Sequence, residues 1–388
     1  MEKIEYLVPD YFTEFSCKCG ECRNSCCQGW GITVSMKEYF RLLGAECTKD
    51  MRRKLDSSLH IVDHPSEARY ARLGPGWDFS CPLQAKDGLC SLQSHLGESA
   101  LPSVCRLYPR AFRNTYMPEG AMSGSCERVI ELLFARKEPL KFVPLRLSPE
   151  SAEMPPTRQD VTREVYKLVR LFSVQLLQDR ALSVPERINA LSRALIDMDE
   201  HKARDSEAYL GAWDSASPAD KDAAFNFALG VSGILMDSSE GFAPFFESSC
   251  KNLSLPIPNG SKPDESTLKS ACERFYSAKA HFEALFPDWN TLFENILVNH
   301  IFFTDFPYSD IRDNFIDESA ALTATYLVLR LFAVSYMADK DQLQDLTDVM
   351  SACFRVMEHT AYDYNACRAI IHLEKEHGIR LPEAINLL

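Results

Sequence analysis

Ten of the fourteen cysteines fall between Cys17 and Cys126, and the remaining four are scattered at Cys250, Cys272, Cys353 and Cys367. Thiolates are soft donors that select iron–sulfur clusters or zinc. Three segments carry the pattern. Residues 15–30 hold Cys17, Cys19, Cys22, Cys26 and Cys27. Residues 81–93 hold Cys81-Pro82-Leu83 and Asp87-Gly88-Leu89-Cys90. Residues 101–110 hold Cys105-Arg106-Leu107-Tyr108-Pro109-Arg110, and Cys126 follows. Short spacings with glycine nearby let a loop close round a metal and aim N–H groups at sulfur. The segments stand about sixty residues apart, so ligation would also supply folding energy.

Zinc and an iron–sulfur cluster stay open as alternatives at this point, because only parts of the pattern fit paired C-x2-4-C knuckles. Cys26 and Cys27 are adjacent, so their side chains diverge and do not serve one iron site together; one of them is core, redox-active or bound elsewhere. Cys19 and Cys47 are the most dispensable. His95, the one histidine of this block near ligand spacing, reads as a loop or surface residue. The C-x3-C-x2-C spacing of radical S-adenosylmethionine enzymes fails, since Gly29 stands at its third position. No G-x-G-x-x-G, P-loop or H-E-x-x-H occurs, which removes the usual nucleotide-binding and zinc-protease fingerprints.

These residues need elements to hold them. At 388 residues the chain can bury a large core. Prolines 139, 144, 149, 155 and 156 disfavour helix and mark a joint. The expected architecture is mainly α: an irregular cysteine-rich metal-binding domain over 1–140, then an all-α helical bundle over 141–388. Short helices are expected at 36–43 and 127–137. In the second part Val161, Val165, Leu168, Val169, Phe172 and Leu176 recur at helical spacing on one face. Ser183-Val184-Pro185-Glu186 has the form of a capping box. Further helices are expected near 219–238, 266–284, 289–303, 314–337, 341–359 and 361–376, with a loop at 253–266.

Charge narrows the partners. Residues 1–140 balance 18 basic against 18 acidic side chains, whereas 141–388 hold 24 basic and 37 acidic, which accounts for the net −13. An acidic surface argues against nucleic acid and suits a lysine-bearing protein partner. The first ten residues lack an apolar signal core. The stretch 322–338 is interrupted by Arg330 and too short to span a bilayer. The expectation is a cytoplasmic protein without a membrane partner, in a compartment where clustered cysteines bind metal rather than pair.

The order F-x-C-x4-C-x3-C-C-x-G-W at 15–30, then C-P-L with D-G-L-C-x-L-Q, then C-R-L-Y-P-R, resembles the flagellin lysine-N-methylase family. So do Val8-Pro9-Asp10-Tyr11-Phe12, residues 293–300 and Phe306-Pro307-Tyr308. The resemblance implies transfer of a methyl group from S-adenosylmethionine to lysine ε-amines of flagellin, and a [4Fe–4S] cluster. The positions it carries over are Cys17, Cys22, Cys26, Cys27, Cys81, Cys90, Cys105 and Cys126. Eight thiols exceed the four that one such cluster takes.

A lysine with pKa near ~10.4 must lose a proton before it can attack. Tyr108, Tyr308 and Glu294 are the candidate proton acceptors. Trp30 or Trp77 could face the sulfonium of the cofactor. Arg106 and Arg110 flank Cys105 and either bind the cofactor carboxylate or neutralise an anionic cluster. The alternative reading is a non-enzymatic zinc- or iron-binding protein whose helical part docks a protein partner.

Overall fold

The computed structural model describes residues 3–28, 31–74, 80–148, 161–198, 220–236, 240–257, 263–309, 314–360, 362 and 381–388. Among them the chain is mainly helical, as expected. The expected helix at 361–376 lies almost wholly outside the described residues. The first part carries strands that the sequence reading did not separate from loop: β1 (Ile4–Pro9), β2 (Ile32–Val34), β3 (Leu59–Ile61), β4 (Ala71–Leu73), β5 (Arg110–Arg113), β6 (Glu119–Met122) and β7 (Phe142–Leu147).

They form two sheets. One has the order β5-β6-β1-β7, with β1 parallel to β6 and antiparallel to β7; the other has the order β2-β4-β3. β7 corrects the expectation of an all-α second part: it lies just past residue 140 and pairs along its whole length with β1, Ile4 opposite Leu147 and Pro9 opposite Phe142. Pro144, one of the five prolines of the expected joint, stands opposite Leu7 in this pair. β7 is an edge strand, where a residue without an N–H is tolerated.

Two cores follow from these sheets. A small one, of nine buried side chains including Val34, Leu55, Leu73, Leu83 and Leu101, lies by the three-stranded sheet. The large core is continuous from Tyr6, Val8 and Met122 in the first part to the helices of the second, so apolar packing is unbroken across residue 140. At its centre runs the helix Phe315–Tyr336, buried at every position from Glu318 to Ser335. A helix apolar all round is a core helix when protein covers it. It is the one described helix long and apolar enough to cross a membrane, and 94% of its apolar window is buried inside the fold.

Helix starts follow their caps. Thr162, Asp264 and Asn314 each accept a backbone N–H of the first turn, and the Ser183 N–H and hydroxyl both reach Glu186 at 2.7 Å. The apolar stripe of the first long helix, Arg163–Leu177, is split: Val165, Leu168 and Phe172 are exposed, Val165 by 46% and Leu168 by 67%, whereas Val169 and Leu176 pack on the core. Its inward face carries Tyr166 and Arg170 instead. Tyr166 donates to Glu119 and Asp305 at 2.9 and 2.6 Å. Arg113 pairs with Glu119 at 2.7 Å, and Arg170 reaches both carboxylates at 3.4 Å. This buried charge network joins β5 and β6 to the helices. Buried carboxylates demand such partners, and that demand outweighs the pull on the apolar stripe.

Candidate functional site

Nine of the ten N-terminal cysteines line one cavity of about 710 Å³. Cys47 is left out and packs on the small core. The eight candidate ligands are therefore gathered at one place from the three segments and Cys126.

Local contacts explain the gathering. The Cys81 N–H donates to the Cys27 carbonyl at 2.7 Å, and Gln28 bridges Ser80. Gly20 and Gly88 let the first two segments touch: a Cβ on Gly88 would lie 2.8 Å from the Gly20 Cα, and Gly88 has φ +81°, a conformation natural only to glycine. Buried Glu127 anchors the first loop to the helix Glu127–Phe134. It receives Lys18 Nζ at 2.5 Å and the Asn24 N–H at 2.8 Å. From the helix Leu343–His359, Arg355 donates to the Asn24 and Ser25 carbonyls at 3.0 and 3.1 Å, and Arg23 pairs with Asp345 and Asp348.

The donor set is of the kind a thiophilic metal takes. Burial, reinforced by neighbouring thiols, pushes Cys22 and Cys105 up to about 12 and Cys81 and Cys126 to about 11. Cys26 is driven higher still by its hydrogen bond to Cys27, which drops to about 6 with help from Ser25 and Arg355. Converging thiols resist ionisation until a cation replaces their protons. Among the described residues, however, no three His, Cys, Asp or Glu side chains are placed to hold a metal ion.

The reactive side chains stand beside them. Tyr108, Arg106, Arg110 and His359 line the cysteine cavity and also an adjoining cavity of about 830 Å³. The Tyr108 hydroxyl lies 2.9 Å from Ser125 Oγ, and Ser125 Oγ lies 2.8 Å from His359 Nε2. Ser123 donates to Glu358 at 2.6 Å, and Glu358 holds His300 Nδ1 at 3.1 Å. Burial raises the Tyr108 phenol well above its ordinary value, with Cys126 adding to the effect. His359 is open to water through the cavities, yet the protein packed round it, with Arg355, lowers its pKa against the opposing pull of Glu358. A neutral imidazole with Nε2 facing a hydroxyl is a proton acceptor.

Other expected site residues lie elsewhere. Glu294 is buried, but Arg180 grips both its oxygens at 2.9–3.2 Å and Arg187 reaches it at 2.7 Å. Both oxygens are committed to these guanidiniums, and Glu294 lines neither cavity. Tyr308 belongs to an aromatic cluster with Tyr116 and Tyr166, centroids 5.6 Å away. Arg110 does line both cavities, and its guanidinium lies over the Phe12 and Phe15 rings at 5.4 and 4.8 Å, with its pKa lowered by burial. His95 bonds the Ser91 carbonyl at 2.8 Å. Trp30 and Trp77 lie outside the described residues. His359 was not singled out from sequence; its signal, an acid–histidine pair ending an amphipathic helix, has no meaning until the serines meet it.

A family model described as the FliB lysine N-methylase C-terminal domain matches residues 170–379, more than half of the chain. The chain belongs to the FliB lysine N-methylase family. The lysine-N-methylases of Salmonella typhimurium and Salmonella choleraesuis are each 31% identical to it over 131 residues. That match covers 33% of this chain and 32% of each relative, so the chain spans about a third of their length. The flagellar biosynthetic protein FliU of Salmonella muenchen is 30% identical over 131 residues, with 76% of its length covered. No solved structure matches. The segment matching the FliB C-terminal domain supplies His359, which lines both cavities with residues of the cysteine-bearing part, and Arg355, which holds the first cysteine loop.

Proposed function

We propose that this chain N-methylates lysine side chains of flagellin, with S-adenosylmethionine as methyl donor and a [4Fe–4S] cluster held by four of the eight cavity cysteines. The observation that carries this reading is the shared wall: the thiols, Tyr108 and His359 line the same space, with buried Ser125 linking the last two from behind. The relatives named lysine-N-methylase and FliU support the lysine and flagellar parts of it.

When bound, the cluster would supply an electron-poor iron centre beside the methyl donor. The protein's own groups do the rest. A lysine ammonium entering through the adjoining cavity meets the neutral ring of His359, with the buried carboxylate of Glu358 behind Ser123. Nε2 takes the ε-ammonium proton, directly or through Ser125. The freed amine nitrogen bonds to the methyl carbon as its bond to the sulfonium sulfur breaks, leaving a neutral thioether. His359 then releases its proton to water. Arg106 and Arg110 stand where they offset an anionic cluster or the cofactor carboxylate. The pocket matters because desolvation favours the neutral amine.

The test is incubation of cluster-replete protein with flagellin and labelled S-adenosylmethionine. Label on lysine, with a mass gain of one methyl group per transfer, is expected. A protein with its full iron content and no transfer overturns the reading.

A further inference from the structure

The adjoining cavity, of about 830 Å³, differs in chemistry from the cysteine cavity. Among the described residues its wall carries Lys37, Arg41, Arg106 and Arg110 against a single carboxylate, Glu38, and His359 stands in the same wall. That carboxylate is committed to the local fold. Glu38 accepts the Ser35 N–H and hydroxyl at 2.9 and 2.7 Å, which closes the capping box of the helix Met36–Leu43, and its other oxygen takes the Ser103 N–H.

Lys37 and Arg41 stand one turn apart on that helix, so they share a face, and both are exposed. Arg41 donates to the Ser99, Ala100 and Leu101 carbonyls. Neutral carbonyls fix the guanidinium and leave its charge uncancelled. Neither Lys37 nor Arg41 forms an ion pair with a carboxylate among the described residues. The chain as a whole carries −13, so this opening reverses the balance of the molecule.

A lone lysine ammonium approaching such an opening is opposed by like charge. A lysine with acidic neighbours in its own sequence is not. Successive residues of an extended segment advance about 3.3 Å, so carboxylates a few positions from the lysine meet the rim while the ammonium passes on to His359. We propose that Lys37 and Arg41 read the sequence around the target lysine and select segments in which acidic residues flank it. The inference rests on the methylase reading for the fate of the lysine. The recognition itself is binding and is measured without transfer.

The experiment is fluorescence anisotropy at low salt with full-length protein and three labelled peptides, each holding one lysine flanked on both sides by Asp, by Ser or by Arg. The Asp-flanked peptide should bind about fivefold tighter than the Ser-flanked one, from two exposed charge pairs, and the Arg-flanked one most weakly. The differences should shrink as salt rises. Lys37→Glu should narrow or reverse the order. An acid in the first turn suits the helix dipole, so the variant keeps its fold. Arg53→Glu makes the same change of charge at a side chain 80% exposed that lines neither cavity, and should keep the order.

Equal affinity for the three peptides, no measurable binding of any, or an equal effect of both variants overturns the inference. Affinity for S-adenosylmethionine should be the same in wild type and K37E. A drop in it with the peptide order kept would give these cations to the cofactor carboxylate and also overturns the inference. The expected peptide order with no methyl transfer by cluster-replete protein sinks the methylase reading alone. Transfer with equal affinity for the three peptides sinks this inference alone.

Discussion

Ser125 Oγ stands 2.8 Å from His359 Nε2 although the residues are 234 positions apart. Ser125 precedes a candidate metal ligand, and His359 ends a helix of the family's C-terminal domain. The contact therefore couples the thiol cavity to a group able to accept a proton. Replacing His359 by Gln should lower kcat by about 10²-fold or more, the usual worth of a positioned base, while metal content stays at the wild-type value. Unchanged kcat would remove His359 from the mechanism.

The same histidine sets a pH dependence. Its pKa is lowered in the fold, chiefly because the protein packed round the ring desolvates it even though one side is open to the cavities, so the neutral, accepting form is present above that value and is lost as pH falls through it. Transfer should drop on the acid side with an apparent pKa below the ordinary ~6.5 of histidine. Stability has the same sign: the unfolded chain binds the proton more tightly, so the fold loses stability as pH falls below the unfolded value. The acid limb should vanish in H359Q, and a limb that persists would belong to another group.

Glu127 is the hinge post of the first cysteine loop. It accepts from Lys18 and Asn24, and Gln344 reaches it at 3.2 Å. Glu127→Ala strands these donors and should cost about 2–3 kcal/mol. Iron retention should fall with it, because the loop bearing Cys17, Cys22 and Cys26 loses its tie to Cys126. Thermal melting and iron analysis on one preparation check both. A destabilised variant with full iron would mean that the loop is held by Arg355 and Arg23 alone.

Much of this was legible in sequence, and the failures have physical causes. The cysteines could be grouped because type and spacing carry metal chemistry without tertiary help. Helices such as Trp289–Phe303 and Leu343–His359 were legible from periodicity. Glu294 looked reactive as a lone carboxylate in an apolar helix; Arg180 and Arg187, which neutralise it, come from more than a hundred residues upstream. The stripe through Leu168 looked like core until Glu119 and Asp305 claimed the opposite face for Tyr166 and Arg170. His359 needed Ser123 and Ser125 beside it. Each miss turns on a long-range polar contact, which hydrophobic patterning does not encode.

Gly88 tests how closely the first two cysteine segments must approach. Its positive φ costs another residue about 1–2 kcal/mol, and an added Cβ would meet the Gly20 Cα at 2.8 Å. Gly88→Ala should therefore destabilise by more than the conformational term alone and weaken metal retention. Gly97 has a similar φ of +82° with nothing within 4 Å of an added Cβ. Gly97→Ala should show the conformational cost only, with metal unchanged. Equal effects in melting and metal content would mean that the close approach to Gly20 carries no weight.

Glu294 separates structural from catalytic loss. Its carboxylate is 1% exposed and serves two arginines, of which Arg187 is also buried. Glu294→Gln leaves Arg187 with a buried charge and a weaker partner, at a cost of about 3 kcal/mol. Transfer per folded molecule should be unchanged, since the residue lines neither cavity. The measurement is kcat normalised to the folded fraction from a melt of the same sample. A normalised kcat that falls by tenfold or more, with a shifted pH profile, would return Glu294 to the list of proton acceptors and displace His359 from that role.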